Sequence, residues 1–267
     1  MEKKKIFLSH LSLIGKLSKN DFRKRYAGSY LGVIWAMVPP IVTVLMYWFV
    51  FDKIFGASRQ MAANGIEVPY VLFLTAGLVP WFFFSDAFSG GAAALLEYSY
   101  LVKKVVFKIE VLPVVKVTAA LFTHAFFTFV LIVIAAIYGY YPRLHYLELI
   151  YYTLCEYVLA ICLSYITSAV VVYFRDLQQI INIILQVGIW ATPILWNINS
   201  FTGAFVHIAK LNPMAYIVEG YRNAIYGDKW FWEHPYFTAV FWVSMLALFI
   251  LSQYIFKKLK REFADLL

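Results

Sequence analysis

Apolar residues fall in long unbroken blocks along this chain, and the polar residues collect between them. Six blocks reach the roughly 20 apolar residues that a helix needs to cross about 30 Å of hydrocarbon. They cover approximately 30–51, 69–93, 112–138, 146–173, 178–197 and 236–256. The pattern predicts an all-α integral membrane fold with six transmembrane helices. Only "FRDLQQ" parts the fourth block from the fifth, so that turn must be tight. Residues 198–233 are too broken to span and too apolar for a plain hydrated loop. Short re-entrant or interfacial helices fit them best. The expected division is a cytoplasmic segment at 1–28, a transmembrane domain at 29–257 and a tail at 258–267.

Two further stretches carry a helical rather than a continuous apolar pattern. Phe7, Leu11, Ile14 and Phe22 approximate one face of a helix, with Lys16, Lys19 and Lys24 on other faces. This predicts an amphipathic N-terminal helix in the membrane interface. Lipid anchoring and partner docking both remain open for it. Residues 94–111, "ALLEYSYLVKKVVFKIEV", place Leu95, Tyr98, Val102, Val105 and Val106 on a stripe. Either an amphipathic connector or a docking element for a soluble partner accounts for that.

Composition agrees with the membrane reading. The 267 residues are 63% hydrophobic and 14% charged, with mean hydropathy +0.72, whereas soluble domains are about 25% charged. Placing both termini inside puts sixteen cations on the cytoplasmic side, among them Lys103, Lys104, Lys108, Arg175 and Lys257, and six on the other. The positive-inside rule therefore predicts N-in, C-in. The net charge of +8 is then attraction to an anionic leaflet, and nucleic acid need not be invoked. No cleavable signal is expected, because the stretch after "KKK" lacks a continuous apolar core.

Catalytic patterns are missing. There is no GxxxxGK[ST] phosphate cradle, and the five histidines show no metal-ligand spacing. Cys155 and Cys162 lie about 10.5 Å apart along a helix, too far for a disulfide. Asp86, Lys116 and Glu156 fall inside predicted spans, where snorkelling or helix–helix pairing accounts for them. His124 reads as a packed histidine.

The stretch "DFRKRYAGSYLGVIWAMVPPI" (21–41) resembles the start of the permease subunit of type-2 ABC exporters for lipid-linked polysaccharide, the O-antigen, capsule and teichoic acid family. Further resemblances follow in order: "YVLFLTAGLVPWFFFSDAFSGG", "LVKKVVFKIEVLPVVKV", "VVYFRDLQQIINIILQVGIWATPILW" and "LNPMAYIVEGYRNAIYG". Nearly the whole chain is covered. One departure is Lys108, where the family commonly has proline in the coupling region.

The resemblance implies a homodimer of six-span subunits in the bacterial cytoplasmic membrane, with two copies of a separate ATPase docked below. ATP and Mg would be bound by that ATPase, leaving this chain without a cofactor or catalytic residues. It makes the N-terminal helix and the 94–111 segment the ATPase contacts, with Glu97, Tyr98, Lys103, Lys104, Phe107, Lys108 and Glu110 as coupling residues. Arg23, Arg25 and Tyr26 become candidates for an entrance that meets the phosphate of a polyprenyl-linked glycan, since guanidinium suits phosphate oxygens. Anchoring at the bilayer surface is the competing account of those arginines. Pro39 and Pro40 are expected to kink the first span and so open a lateral path for lipid. Tyr47, Tyr157 and Tyr165, with Trp35 and Trp190, are candidate channel-lining rings, offering sugars an apolar face. Asn212, Pro213, Glu219, Tyr221 and Arg222 are the candidate outer gate, with Glu219 and Arg222 spaced to pair. A type-2 permease for a small drug or lipid is the alternative. A glycan transferase would need clustered acidic residues at the membrane surface, and no such cluster is present in the sequence.

Overall fold

The computed structural model describes residues 2–56, 59–62, 64–102 and 108–266. Its helices follow the apolar blocks: α1 Glu2–Arg25, α2 Val38–Trp48, α3 Tyr70–Glu97, α4 Ser99–Val102, α5 Val111–Ile137, α6 Glu148–Tyr173, α7 Leu177–Ala191, α8 Ala204–Leu211, α9 Pro213–Tyr226, α10 Pro235–Leu259 and α11 Phe263–Leu266. Among the described residues, five stretches are long and apolar enough to cross a bilayer: Gly32–Ile54, Tyr70–Glu97, Val111–Ile137, Leu144–Tyr173 and Pro235–Glu262. The protein is a multi-pass membrane protein.

The fifth predicted span is the main departure. A block at 178–197 was expected, but α7 ends at Ala191, and its 15 residues rise only about 22 Å. Pro193 is the reason. A residue before proline is pushed out of the helical region, and Thr192 is extended at φ −89°, ψ 144°. Apolar content alone made the block look continuous.

The first span also corrects an expectation. Pro39 and Pro40 do not kink a helix interior. A 3₁₀ segment, Gly32–Ala36, comes first, and the prolines then occupy the opening turn of α2. There the missing N–H groups have no helical partner to lose. The span ends in a π-helical turn, Phe49–Ile54. The fold is also not purely α: β1 Arg59–Met61 pairs antiparallel with β2 Glu67–Pro69, with Gln60 opposite Val68.

Helix α3 is the axis of the bundle. It buries Leu72, Leu74, Ala76, Leu78, Ala87 and Ala92 completely, and α5, α6, α7 and α9 pack around it. By contrast, almost none of the 32–54 stretch is buried within the chain. A second apolar cluster, including Leu95, Leu112, Val172, Phe256 and Phe263, ties the ends of α3, α6 and α10 to the start of α5. Because Lys116, Lys257, Lys258 and Lys260 gather there, it is called the basic end below.

Glycines permit the closest crossings, and a Cβ at Gly91 of α3 would strike Ser164 of α6. A Cβ at Gly220 would strike the ring of buried Tyr152, and one at Gly188 would strike Trp81. Larger residues there would push α9 from α6 and α7 from α3. Cys155 and Cys162 are free and buried, as their spacing requires.

Candidate functional site

Helix α1 is amphipathic as expected, but its buried face meets protein. Ser18 and Asp21 are buried, with Ile14, Leu17, Phe22 and Arg25 half-buried beside them. That is an i, i+3, i+4 stripe. Ser18 donates to the Val115 carbonyl at 3.0 Å, and the Phe22 ring lies 5.4 Å from that of Phe122. Of the predicted stripe, the side chains of Phe7 and Leu11 lie outside the described residues.

An ion cluster holds α1 in place. Lys116, only 4% exposed, bonds Asp21 at 2.8 Å and also pairs with Glu97. Arg25 bonds Asp21 at 3.1 Å and Asp86 at 2.7 Å. Tyr98 donates its hydroxyl to Asp21. Burial by itself raises the Asp21 carboxyl, but the bonds from Lys116 and Tyr98 and the charges of Lys116 and Arg25 outweigh it and hold it below its usual value. Three carboxylates face two cations, so the cluster carries no surplus positive charge.

This placement reassigns several residues. Arg25 was expected at the entrance facing phosphate; instead two carboxylates occupy its fork. Arg23 is exposed and has no ion pair among the described residues. Glu97 and Tyr98 were expected to face a partner, yet both bind inward to the α1–α5 junction. Glu110 pairs with Lys260, while its carbonyl accepts from the Tyr165 hydroxyl at 2.8 Å. The Lys108 carbonyl accepts from Val111 N–H at 3.1 Å as α5 begins. Lys103, Lys104 and Phe107 lie outside the described residues.

A groove of about 220 Å³ opens beside the cluster, between the first span, α3 and α5. Tyr26, Trp35, Pro39, Phe82, Asp86 and His124 are among its walls. It is an aromatic cleft with one carboxylate at its edge. Burial, then Asp86, raises the Tyr26 hydroxyl, which stays protonated. His124 is buried and bonds the Tyr221 hydroxyl through Nε2 at 2.8 Å.

The other candidate rings divide into two groups. Trp35 and Trp190 are exposed, and Tyr47 is half-buried, its ring 6.2 Å from Phe51. Tyr157 and Tyr165 are instead structural ties. Tyr157 shares a hydrogen bond of 2.8 Å with Thr118, and Tyr165 packs edge-on to Phe256 at 5.0 Å. Their hydroxyls are committed inside the chain.

At the end away from the basic cluster, α8 and α9 are short helices, as anticipated. Asn212 caps α9 by accepting from Met214 N–H at 3.0 Å, and Pro213 fills the first helical position. Glu219 and Arg222 pair at 2.7 Å. Arg222 does more. Its guanidinium donates to the carbonyls of Pro193 at 2.6 Å, Ile194 at 2.8 Å and Phe73 at 3.3 Å, and sits 3.5 Å from the Phe73 ring centre. It clamps α9 to α3 and to the break after α7. Tyr221 is fully buried, bonding Thr153 at 2.6 Å, so it faces no opening.

Sequence reasoning left out Asp21 and Phe82 and treated Asp86 and Lys116 as incidental. The Asp21–Arg25 pair was legible as i, i+4 spacing; its links to Asp86 and Lys116 join residues 61 and 95 positions apart. The expected pairing or snorkelling does hold for Asp86 and Lys116. It fails for Glu156, which is buried with neither carboxylate oxygen bonded among the described residues.

Comparison with known proteins bears on the whole chain. The family model described as "ABC-2 type transporter" matches residues 12–226. A protein of Myxococcus xanthus named "O-antigen export system permease protein RfbA" is 30% identical over 95% of this chain and 94% of its own length. A protein of the same name from Klebsiella pneumoniae is 25% identical over 96% of this chain and 95% of its own.

Proposed function

The chain belongs to the ABC-2 type transporter family, and from that premise we propose that it is the permease subunit of an exporter of lipid-linked polysaccharide. The observation that carries this reading is similarity over nearly the full length to permeases named for O-antigen export. We assign the basic end to the cytoplasm of a bacterium, from the cation imbalance. Energy comes from a separate ABC ATPase, two copies of which dock at the 94–111 segment and Lys108. ATP and Mg belong to that subunit.

A second copy of the chain completes the pathway. The apolar faces left exposed on the first span and on α7, where Ile183, Ile184, Val187 and Trp190 form one stripe, supply its contact. The polyprenyl portion of the substrate enters through the aromatic groove, and Arg23 meets its phosphate. Helices α8 and α9 form the outer gate.

Deleting the gene should leave lipid-linked glycan inside the cell and none at the surface. Restoration should require both this chain and an ATPase with an intact phosphate-cradle lysine. Surface glycan appearing without the chain would overturn the assignment. For the entrance, Arg23→Ala is expected to slow export about tenfold, the loss of roughly one charge-assisted bond, without altering thermal unfolding. Undiminished export in that variant would remove Arg23 from the pathway.

A further inference from the structure

Away from the basic end, a polar cavity of about 300 Å³ lies between the β1–β2 hairpin, the 197–199 turn and the C-terminal half of α9. A side chamber of about 130 Å³ adjoins it, and both are walled by Asn199, Glu219, Asn223 and His234. The frame is stiff. Asn64 donates to the Tyr226 carbonyl at 3.0 Å, and Asn197 donates to the Met61 carbonyl at 2.6 Å while accepting from Asn199 N–H at 3.0 Å. Arg222 pins α9 from beneath.

Several polar groups in this frame remain unspent. Tyr226 lines the main chamber, but its hydroxyl is sealed within the wall, without a partner among the described residues. A buried group left so costs about 1–3 kcal/mol, and native interiors seldom tolerate it without a water or ligand. The exposed Asn199 amide is also unbonded there, and Glu219 uses only one oxygen on Arg222. Asn223 donates to Glu148 at 3.4 Å and to the Lys229 carbonyl, leaving its own oxygen free to accept. Burial, and then Lys229, lowers His234, so at neutral pH its ring offers one donor and one acceptor without charge. Aromatic rings complete the walls: Phe73 in the main chamber, with one face covered by the Arg222 guanidinium, and Tyr152, Tyr216 and half-buried Phe237 in the other.

We propose that this cavity is a saccharide-binding site that holds one pyranose unit. Uncommitted donors and acceptors beside apolar ring faces match a sugar, which presents hydroxyls at its edge and C–H groups on its face. Lys229 and Lys210 stand in the two walls, but Asp228 and Glu219 share those walls and the guanidinium of Arg222 is spent on carbonyls and Glu219, so the lining is of mixed charge rather than the ring of cations that an isolated phosphate would need. That the bound unit is part of the translocated glycan rests on the proposed export function; binding itself does not.

The test uses the full chain in lipid nanodiscs, without ATPase. Saturation-transfer NMR is recorded with the methyl glycosides of glucose, galactose, mannose, rhamnose, N-acetylglucosamine and N-acetylgalactosamine. At least one should receive transfer, and the double variant N199A/H234F should weaken it at least fivefold. Neither side chain holds a hydrogen bond among the described residues, so thermal unfolding should match the wild type. No transfer from any glycoside, or transfer unchanged in the variant, overturns the site. Failure of the gene-deletion test with binding intact would instead overturn the export reading and leave the saccharide site standing.

Discussion

Arg222→Ala is expected to destabilise the folded chain by about 4 kcal/mol. The substitution strands two backbone carbonyls, at Pro193 and Ile194, in the interior and leaves the Glu219 carboxylate without its cation. Charge-assisted bonds contribute roughly 1.5–3 kcal/mol each, and unpairing a part-buried carboxylate adds to the loss. Arg222→Lys should be nearly as harmful. A single ammonium cannot replace a planar fork that reaches three carbonyls at once. Thermal unfolding in detergent, followed by far-UV circular dichroism, reads the effect. A drop in Tm smaller than roughly 3 °C for the alanine variant would show that α9 is held by its apolar face alone.

The second large effect belongs to Asp21. Asp21→Asn keeps the shape but leaves Lys116, almost wholly buried, with Glu97 as its one remaining anion. Arg25 keeps Asp86. Breaking a buried pair costs about 3–5 kcal/mol, and the surviving partners put this case at the lower end. About 3 kcal/mol raises the population of undocked α1 roughly a hundredfold. Limited trypsin digestion at Arg23 and Lys24 should accelerate accordingly. Adding Lys116→Met to Asp21→Asn removes the stranded cation, so the double variant should recover much of the loss. Cleavage at the wild-type rate in Asp21→Asn would mean that the Phe22–Phe122 contact and the Ser18 bond suffice.

These two sites also show where sequence reading reaches its limit. The Asp21–Arg25 and Glu219–Arg222 pairs follow from helical spacing alone, and both form. What those arginines hold does not follow from spacing. Arg25 reaches Asp86 on α3, and Arg222 reaches Phe73 on α3 and the turn after α7; a linear pattern carries no distance between separate helices. Tyr157 and Tyr165 looked available for a channel because a period of 3.6 says which face a ring shares and nothing about what that face meets. The early stop of α7 was, however, present in the letters "ATP" at 191–193, where proline outweighs apolar content.

Hydrophobic block length determined the membrane class, because a helix must satisfy its backbone in hydrocarbon over a known thickness. The order of motifs determined the family. Tertiary structure alone decided that α1 docks on α5, that Arg25 is neutralised while Arg23 stays exposed, and that a polar cavity lies under the hairpin. Each of those depends on which helices come to lie side by side, and burial turns a charge from a solvated ornament into a group that must find its counterpart.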